Sequence, residues 1–147
     1  MFSNVLIVCY ANICRSPAAE MVFKTLHEKK SKRKVIYHSA GIRAIEGMHM
    51  DATMQRLLSQ RGVHVGEHHS RRLSAAMVRE ADLVLAAERQ QICKIEALEP
   101  TSRGKVFGLG NWEGVEINDP HGKDESLYHE TLALIERVVA SWIDRLC

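Results

Sequence analysis

The chain has 147 residues, 46% of them hydrophobic and 26% charged, with a formal net charge of +2. That size and balance fit one ordinary globular domain and exclude a largely disordered chain. No stretch approaches the roughly 20 apolar residues of a bilayer-spanning helix, and a near-neutral charge gives no electrostatic argument for a nucleic-acid partner.

The elements alternate strand and helix. Val5-Leu6-Ile7-Val8 is a continuous apolar run, as in a strand covered on both faces. Ala18, Ala19, Val22, Phe23 and Leu26 follow at helical spacing. Val35-Ile36-Tyr37 reads as a second strand, ending at Ser39-Ala40-Gly41. Asp51 is placed to cap a helix carrying Met54, Leu57 and Leu58, which Gly62 stops. A short helix at 74–79 leads to a third strand, Leu83-Val84-Leu85. Ile92, Ile95 and Leu98 mark another helix, ended by Pro100, and Cys93 among them is assigned to the core. Lys105-Val106-Phe107 is a fourth short strand, followed by a turn-rich loop from Gly108 to Gly122. A last helix spans about residues 124–146, with Leu127, Thr131, Leu134, Ile135, Val138 and Trp142 facing inward.

This order predicts a single-domain three-layer α/β/α fold over residues 1–147, with a four-stranded parallel sheet. Ligands in such folds sit beyond the carboxyl ends of the strands, where strand order reverses. The loop after strand one is therefore the first place to look.

That loop reads Cys9-Tyr10-Ala11-Asn12-Ile13-Cys14-Arg15-Ser16-Pro17. Ser16-Pro17 is a helix-start pair, with the hydroxyl expected at the N-cap and the proline at the first helical position. A helix N-terminus with free N–H groups, and a curled loop of amides before it, bind anions. Arg15 adds a planar fork matched to phosphate. The same donors stabilise a thiolate, the nucleophilic form of cysteine. Cys9, at the strand exit, is the candidate nucleophile, and Ser16 can donate to its sulfur. The bland alternative, a structural turn with a buried cysteine, leaves Arg15 and the second thiol without a role. Asp119-Pro120 alone is ordinary turn chemistry. Its loop, however, leaves strand four on the same edge of the sheet as Cys9, and the proline restricts Asp119 to an extended backbone that aims its carboxyl.

The loop resembles the signature of the low-molecular-weight protein tyrosine phosphatases of bacterial type, C-x-G-N-I-C-R-S-P. The likeness extends over the chain through Ser39-Ala40-Gly41, His68-x-Ser70-Arg71 and Asp119-Pro120. It implies hydrolysis of phosphotyrosine with Cys9 as nucleophile, Arg15 as phosphate clamp and Asp119 as general acid and base. Tyr10, Ala11, Asn12, Ile13, Cys14, Ser16 and His121 are then substrate-binding, Ser39 and His68 support the loop, and neither metal nor cofactor is expected. Two positions depart from the pattern. Ala11 stands where the family usually has Gly, and is strained only if its φ is positive. His121 stands where the family usually has a tyrosine that walls the pocket. The implied partners are a phosphotyrosine protein, with a membrane tyrosine autokinase of capsule or exopolysaccharide export as candidate, for a monomer or weak oligomer without membrane insertion.

The remaining cysteines and charges carry several readings. No export signal precedes the first strand, so a cytoplasmic, reducing compartment is expected. Cys14 is either a buried loop thiol or the partner of Cys9 in a reversible, protective disulfide. Cys147 reads as an exposed terminal thiol. Lys29 to Lys34 form a basic run at the end of the sheet opposite Cys9, read as a solvated helix terminus. Rival functions on the same fold are an arsenate reductase, an arginine phosphatase and a phosphate-binding module without turnover. The first needs a closely spaced cysteine pair that the chain lacks. The second typically has Thr at the position of Ile13. The third would follow if Ala11 and His121 disabled the site.

Overall fold

Val5 to Cys9 are all buried, which a strand achieves only in the middle of a covered sheet. In the computed structural model, which describes residues 2–147, they belong to β1 (Asn4–Cys9). β2 (Ile36–Gly41) pairs with one side of β1 and β3 (Leu83–Ala86) with the other, and β4 (Val106–Gly108) follows β3. All three pairings are parallel, and the order is β2-β1-β3-β4. The chain leaves β1 for one side and returns to the other, so the order reverses beside the carboxyl end of β1. Cys9 is the last residue of that strand and lies opposite Gly41.

The two-residue period of β1 divides the core. Val5, Ile7 and Cys9 pack with α1 (Arg15–Lys30), α2 (Ala52–Gln60) and α5 (Glu125–Leu146). Leu6 and Val8 point the other way and pack with α3 (Ala75–Glu80) and α4 (Arg89–Leu98). The result is the three-layer α/β/α arrangement that the strand–helix rhythm predicts. No described helix is long and apolar enough to cross a membrane. The basic run continues from the end of α1 at the far end of the sheet, where Lys30 pairs with Asp144.

Asp51 caps α2 as expected, its Oδ1 accepting the Met54 N–H at 3.0 Å. Other local expectations are corrected. α1 begins at Arg15, with Cys14 at the N-cap, so Ser16 and Pro17 lie inside the first turn. The proline still sits where its missing N–H leaves no bond unmade. Cys93 is exposed rather than core, because α4 buries only the stripe through Gln91 and Ile95. Leu98, at the end of α4, is also exposed. On α5 the buried stripe runs through Tyr128, Leu132, Ile135, Val138, Val139, Trp142, Ile143 and Leu146. Leu127 faces outward and Thr131 and Leu134 are half-buried, because Tyr128 takes the inward position in the first turns.

Candidate active site

The loop between β1 and α1 closes around the Cys9 sulfur. The Asn12 N–H donates to Sγ at 3.3 Å, and Ser16 Oγ lies 2.9 Å from it. To curl this tightly the chain puts Asn12 at φ +59°, the one non-glycine residue with positive φ among the described residues. Asparagine tolerates that region better than most residues. Ala11 is outside it, so the alanine carries no left-handed strain. Gly41 clears the space behind the loop: a Cβ there would stand 2.7 Å from the Tyr10 carbonyl oxygen and 2.8 Å from the Asn12 nitrogen.

The Asn12 side chain organises the cup. Its Nδ2 donates to Ser16 Oγ at 2.8 Å and to Ser39 Oγ at 2.9 Å, and its Oδ1 accepts the Arg71 N–H at 2.9 Å. Ser39 passes its own proton to Glu20 Oε1 at 2.6 Å, and Lys24 donates to the other carboxylate oxygen of Glu20. His68 Nε2–H donates to the Asn12 carbonyl at 2.8 Å. Ser39 and His68 thus meet at Asn12. Glu20 and Arg71 were not anticipated. Glu20 carried one readable signal, a carboxylate one helical turn after Ser16 on the buried face of α1.

Arg15 is 2% exposed. Its Nη1 donates to Glu88, at the entry to α4, and to the Ile117 carbonyl at 2.9 Å. Its Nη2 lies 3.9 Å from Asp119 Oδ2. Burial disfavours its charge, but Cys9, Glu88 and Asp119 outweigh that, and its pKa is raised. Glu88 is a further site residue the sequence reading missed, although a carboxylate just beyond the end of β3 lies on the same edge of the sheet as Cys9.

Cys9, Ala11, Ile13, Cys14, Arg15, Asp119 and His121 line one cavity. Tyr10 projects from the loop and is 49% exposed. Cys14 is buried, and burial above all, with Asp51 and Asp119 adding to it, pushes its thiol well above the ordinary range. Cys9 and Cys14 are both free thiols. The sequence expectation put His121 in the pocket wall. It does line the cavity, but its Nδ1 is also bonded to Asp51 Oδ2 at 2.5 Å. The site therefore offers a sulfur among donors, a buried guanidinium and a half-exposed carboxyl around one cavity.

A sequence model described as low molecular weight phosphotyrosine protein phosphatase matches residues 4–147. The low molecular weight protein-tyrosine-phosphatase Ptp of Acinetobacter johnsonii is 37% identical over 141 residues, covering 96% of each chain. The crystal structure of the tyrosine phosphatase Wzb from Escherichia coli K30 with sulphate superposes with a TM-score of 0.91 at 28% identity, covering all of both chains. The YwlE arginine phosphatase from Geobacillus stearothermophilus superposes with a TM-score of 0.87 at 25% identity, covering 98% of this chain and 92% of that one. With the family pattern matched from the first strand to the last residue, the chain belongs to the low molecular weight protein-tyrosine-phosphatases, a family of hydrolases.

Proposed function

We propose that Cys9 is the nucleophile, Arg15 the phosphate clamp and Asp119 the general acid and base, and that the substrate is a phosphotyrosine protein. One observation carries the reading: the Cys9 sulfur sits within hydrogen-bond distance of a loop amide and a hydroxyl, in the cavity that Arg15 and Asp119 also line.

Cys9 thiolate attacks phosphorus in line, forming the S–P bond as the aryl P–O bond breaks. Loop amides and the guanidinium hold the equatorial oxygens, so the work is positioning and electrostatics. Asp119 gives its proton to the departing phenolate. It then takes a proton from water, whose oxygen attacks phosphorus and releases the thiolate and inorganic phosphate. Asp119 must bring the proton that the leaving group takes, a transfer that Asp119→Asn removes.

Ile13 favours an aryl ester. Its apolar side chain lines the cavity, where the arginine phosphatases it resembles typically carry Thr. The arsenate reductase reading lacks its relay, since the only mid-chain thiol, Cys93, is exposed on the outer face of α4. The family resemblance further supports a membrane tyrosine autokinase of exopolysaccharide export as the natural partner, in the cytoplasm.

The test is a panel of phosphotyrosine, phosphoserine and phosphoarginine peptides, with arsenate reduction alongside. Selective hydrolysis of phosphotyrosine, abolished in Cys9→Ser, is the expected result. Faster phosphoarginine cleavage, or comparable activity in Cys9→Ser, overturns the reading.

A further inference from the structure

Asp119 has little to hold it in place. Its side chain is 48% exposed, and apart from the Arg15 contact its Oδ1 only accepts the N–H of His121, at 3.0 Å in its own turn. What fixes that turn lies on its far side. The Gly122 N–H donates to Tyr128 Oη at 3.0 Å, and the Tyr128 hydroxyl donates to Asp51 Oδ2 at 2.8 Å. His121 Nδ1–H donates to the same oxygen. Asp51 is buried. Burial raises its pKa, but hydrogen bonds from Met54, His121 and Tyr128 outweigh that and hold it below the ordinary carboxyl range, so it receives these donors as a carboxylate.

The same residue also grips the opposite wall. The Asp51 N–H donates to the Ile13 carbonyl of the phosphate loop at 2.7 Å. One side chain and its own amide therefore tie the Asp119 turn to the Cys9 loop, through the start of α2.

We propose that His121 is a positioning residue: pinned to Asp51, it holds the Asp119 turn at a fixed distance from the phosphate loop and so aims the carboxyl at the leaving oxygen. This rests on the reading of Asp119 as general acid. It gives the histidine a role that a pocket-wall aromatic ring without a donor would not fill, because the bond needs an N–H on an atom attached to Cγ.

The experiment compares kcat/KM for two substrates. Phenyl phosphate needs a proton on its leaving oxygen, whereas 2,4-dinitrophenyl phosphate releases a stable anion without one. The ratio of the second to the first reports protonation alone, since a general change in binding cancels. His121→Phe keeps a ring but loses the donor, and the ratio rises about tenfold, part of the roughly 10²–10⁴ a general acid supplies. His121→Asn restores an N–H at the position of Nδ1 and brings the ratio back to within about twofold of the parent enzyme. An unchanged ratio in His121→Phe, or the same rise in both variants, overturns the proposal. Asp119→Asn separates the two ideas. If it raises the ratio while His121→Phe does not, only the positioning role fails. If it leaves the ratio unchanged, the general-acid reading fails and the positioning role with it.

Discussion

Ser16 Oγ stands 2.9 Å from Cys9 Sγ, and the direction of that bond is set elsewhere. Asn12 Nδ2 already donates to the Ser16 oxygen, which leaves the hydroxyl proton free for the sulfur. The Asn12 amide is itself oriented by Ser39, Glu20 and the Arg71 N–H. A chain of donors thus ends on the Cys9 sulfur. Ser16→Ala removes one charge-assisted hydrogen bond to a thiolate, worth about 1.5–3 kcal/mol. Cys9 alkylation by iodoacetate at neutral pH should slow by about tenfold or more, with kcat falling alongside. Alkylation at the parent rate would show that the hydroxyl does not stabilise the anion.

Glu88 and Arg15 set a second prediction. The guanidinium is nearly sealed, with 3% of the side chain exposed, while Glu88 is 23% exposed. Breaking a buried pair costs about 3–5 kcal/mol, and the partial exposure of Glu88 discounts that to roughly 2 kcal/mol. Glu88→Gln keeps the shape and an acceptor for the α4 cap but removes the charge. The melting temperature should fall by about 4–8 °C for a domain of this size. Inorganic phosphate should then restore more of it than it adds to the parent enzyme, because phosphate becomes the main counter-ion of Arg15. A smaller phosphate-induced rise in the variant would show that Glu88 assists anion binding rather than standing in for the anion.

The two kinds of information in this sequence were unequally legible. Periodicity is local, so β1 and the α2 cap at Asp51 could be read from neighbouring residues. The Cys9 loop could be read because its chemistry is packed into nine consecutive positions. The Ser16-Pro17 pair lies two positions further into the helix than expected, because the same dipeptide fits either the N-cap or the first turn, and only the Cys14 backbone decides. Cys93 was misassigned because α4 is covered along one narrow stripe, which apolar neighbours alone do not locate. The long-range pairings of the site were not legible: Glu88 is 73 residues from Arg15 and Asp51 is 70 residues from His121. Such pairs are made by strand order and loop length, and no spacing in the chain announces them.

Asp51 gives a pH signature to stability. Its carboxyl titrates below its ordinary value of 3.8 in the folded chain, so the folded state favours the ionised form. That contribution is complete above the unfolded value and is lost as pH falls through the lower, folded one. Asp51→Asn keeps the α2 cap, since Asn also accepts from the N3 amide, but removes the charge. Urea midpoints should show the variant less stable at neutral pH, with the gap closing below about pH 4. A gap that stays constant or widens in acid would mean that the carboxylate is not what the network stabilises.

The place of Cys14 beside Cys9 sets a prediction for what an oxidant does to the site. Peroxide converts Cys9 thiolate to sulfenic acid with release of hydroxide; attack by Cys14 thiolate on that sulfur expels a second hydroxide and leaves a disulfide. Both cysteines line one cavity, so the partner is at hand. Burial and the nearby Asp51 and Asp119, however, hold the Cys14 thiol protonated well above the ordinary range. Ring closure therefore waits on a rare thiolate and should quicken as pH rises. Mass spectrometry after mild peroxide should find a Cys9–Cys14 crosslink whose yield, relative to sulfinic and sulfonic acid on Cys9, grows from neutral to alkaline pH. In Cys14→Ser the acids alone should accumulate, and thiol reductant should no longer restore activity. Sulfonic acid on Cys9 with Cys14 still a free thiol in the parent enzyme, at every pH, would make Cys14 a packing residue and nothing more.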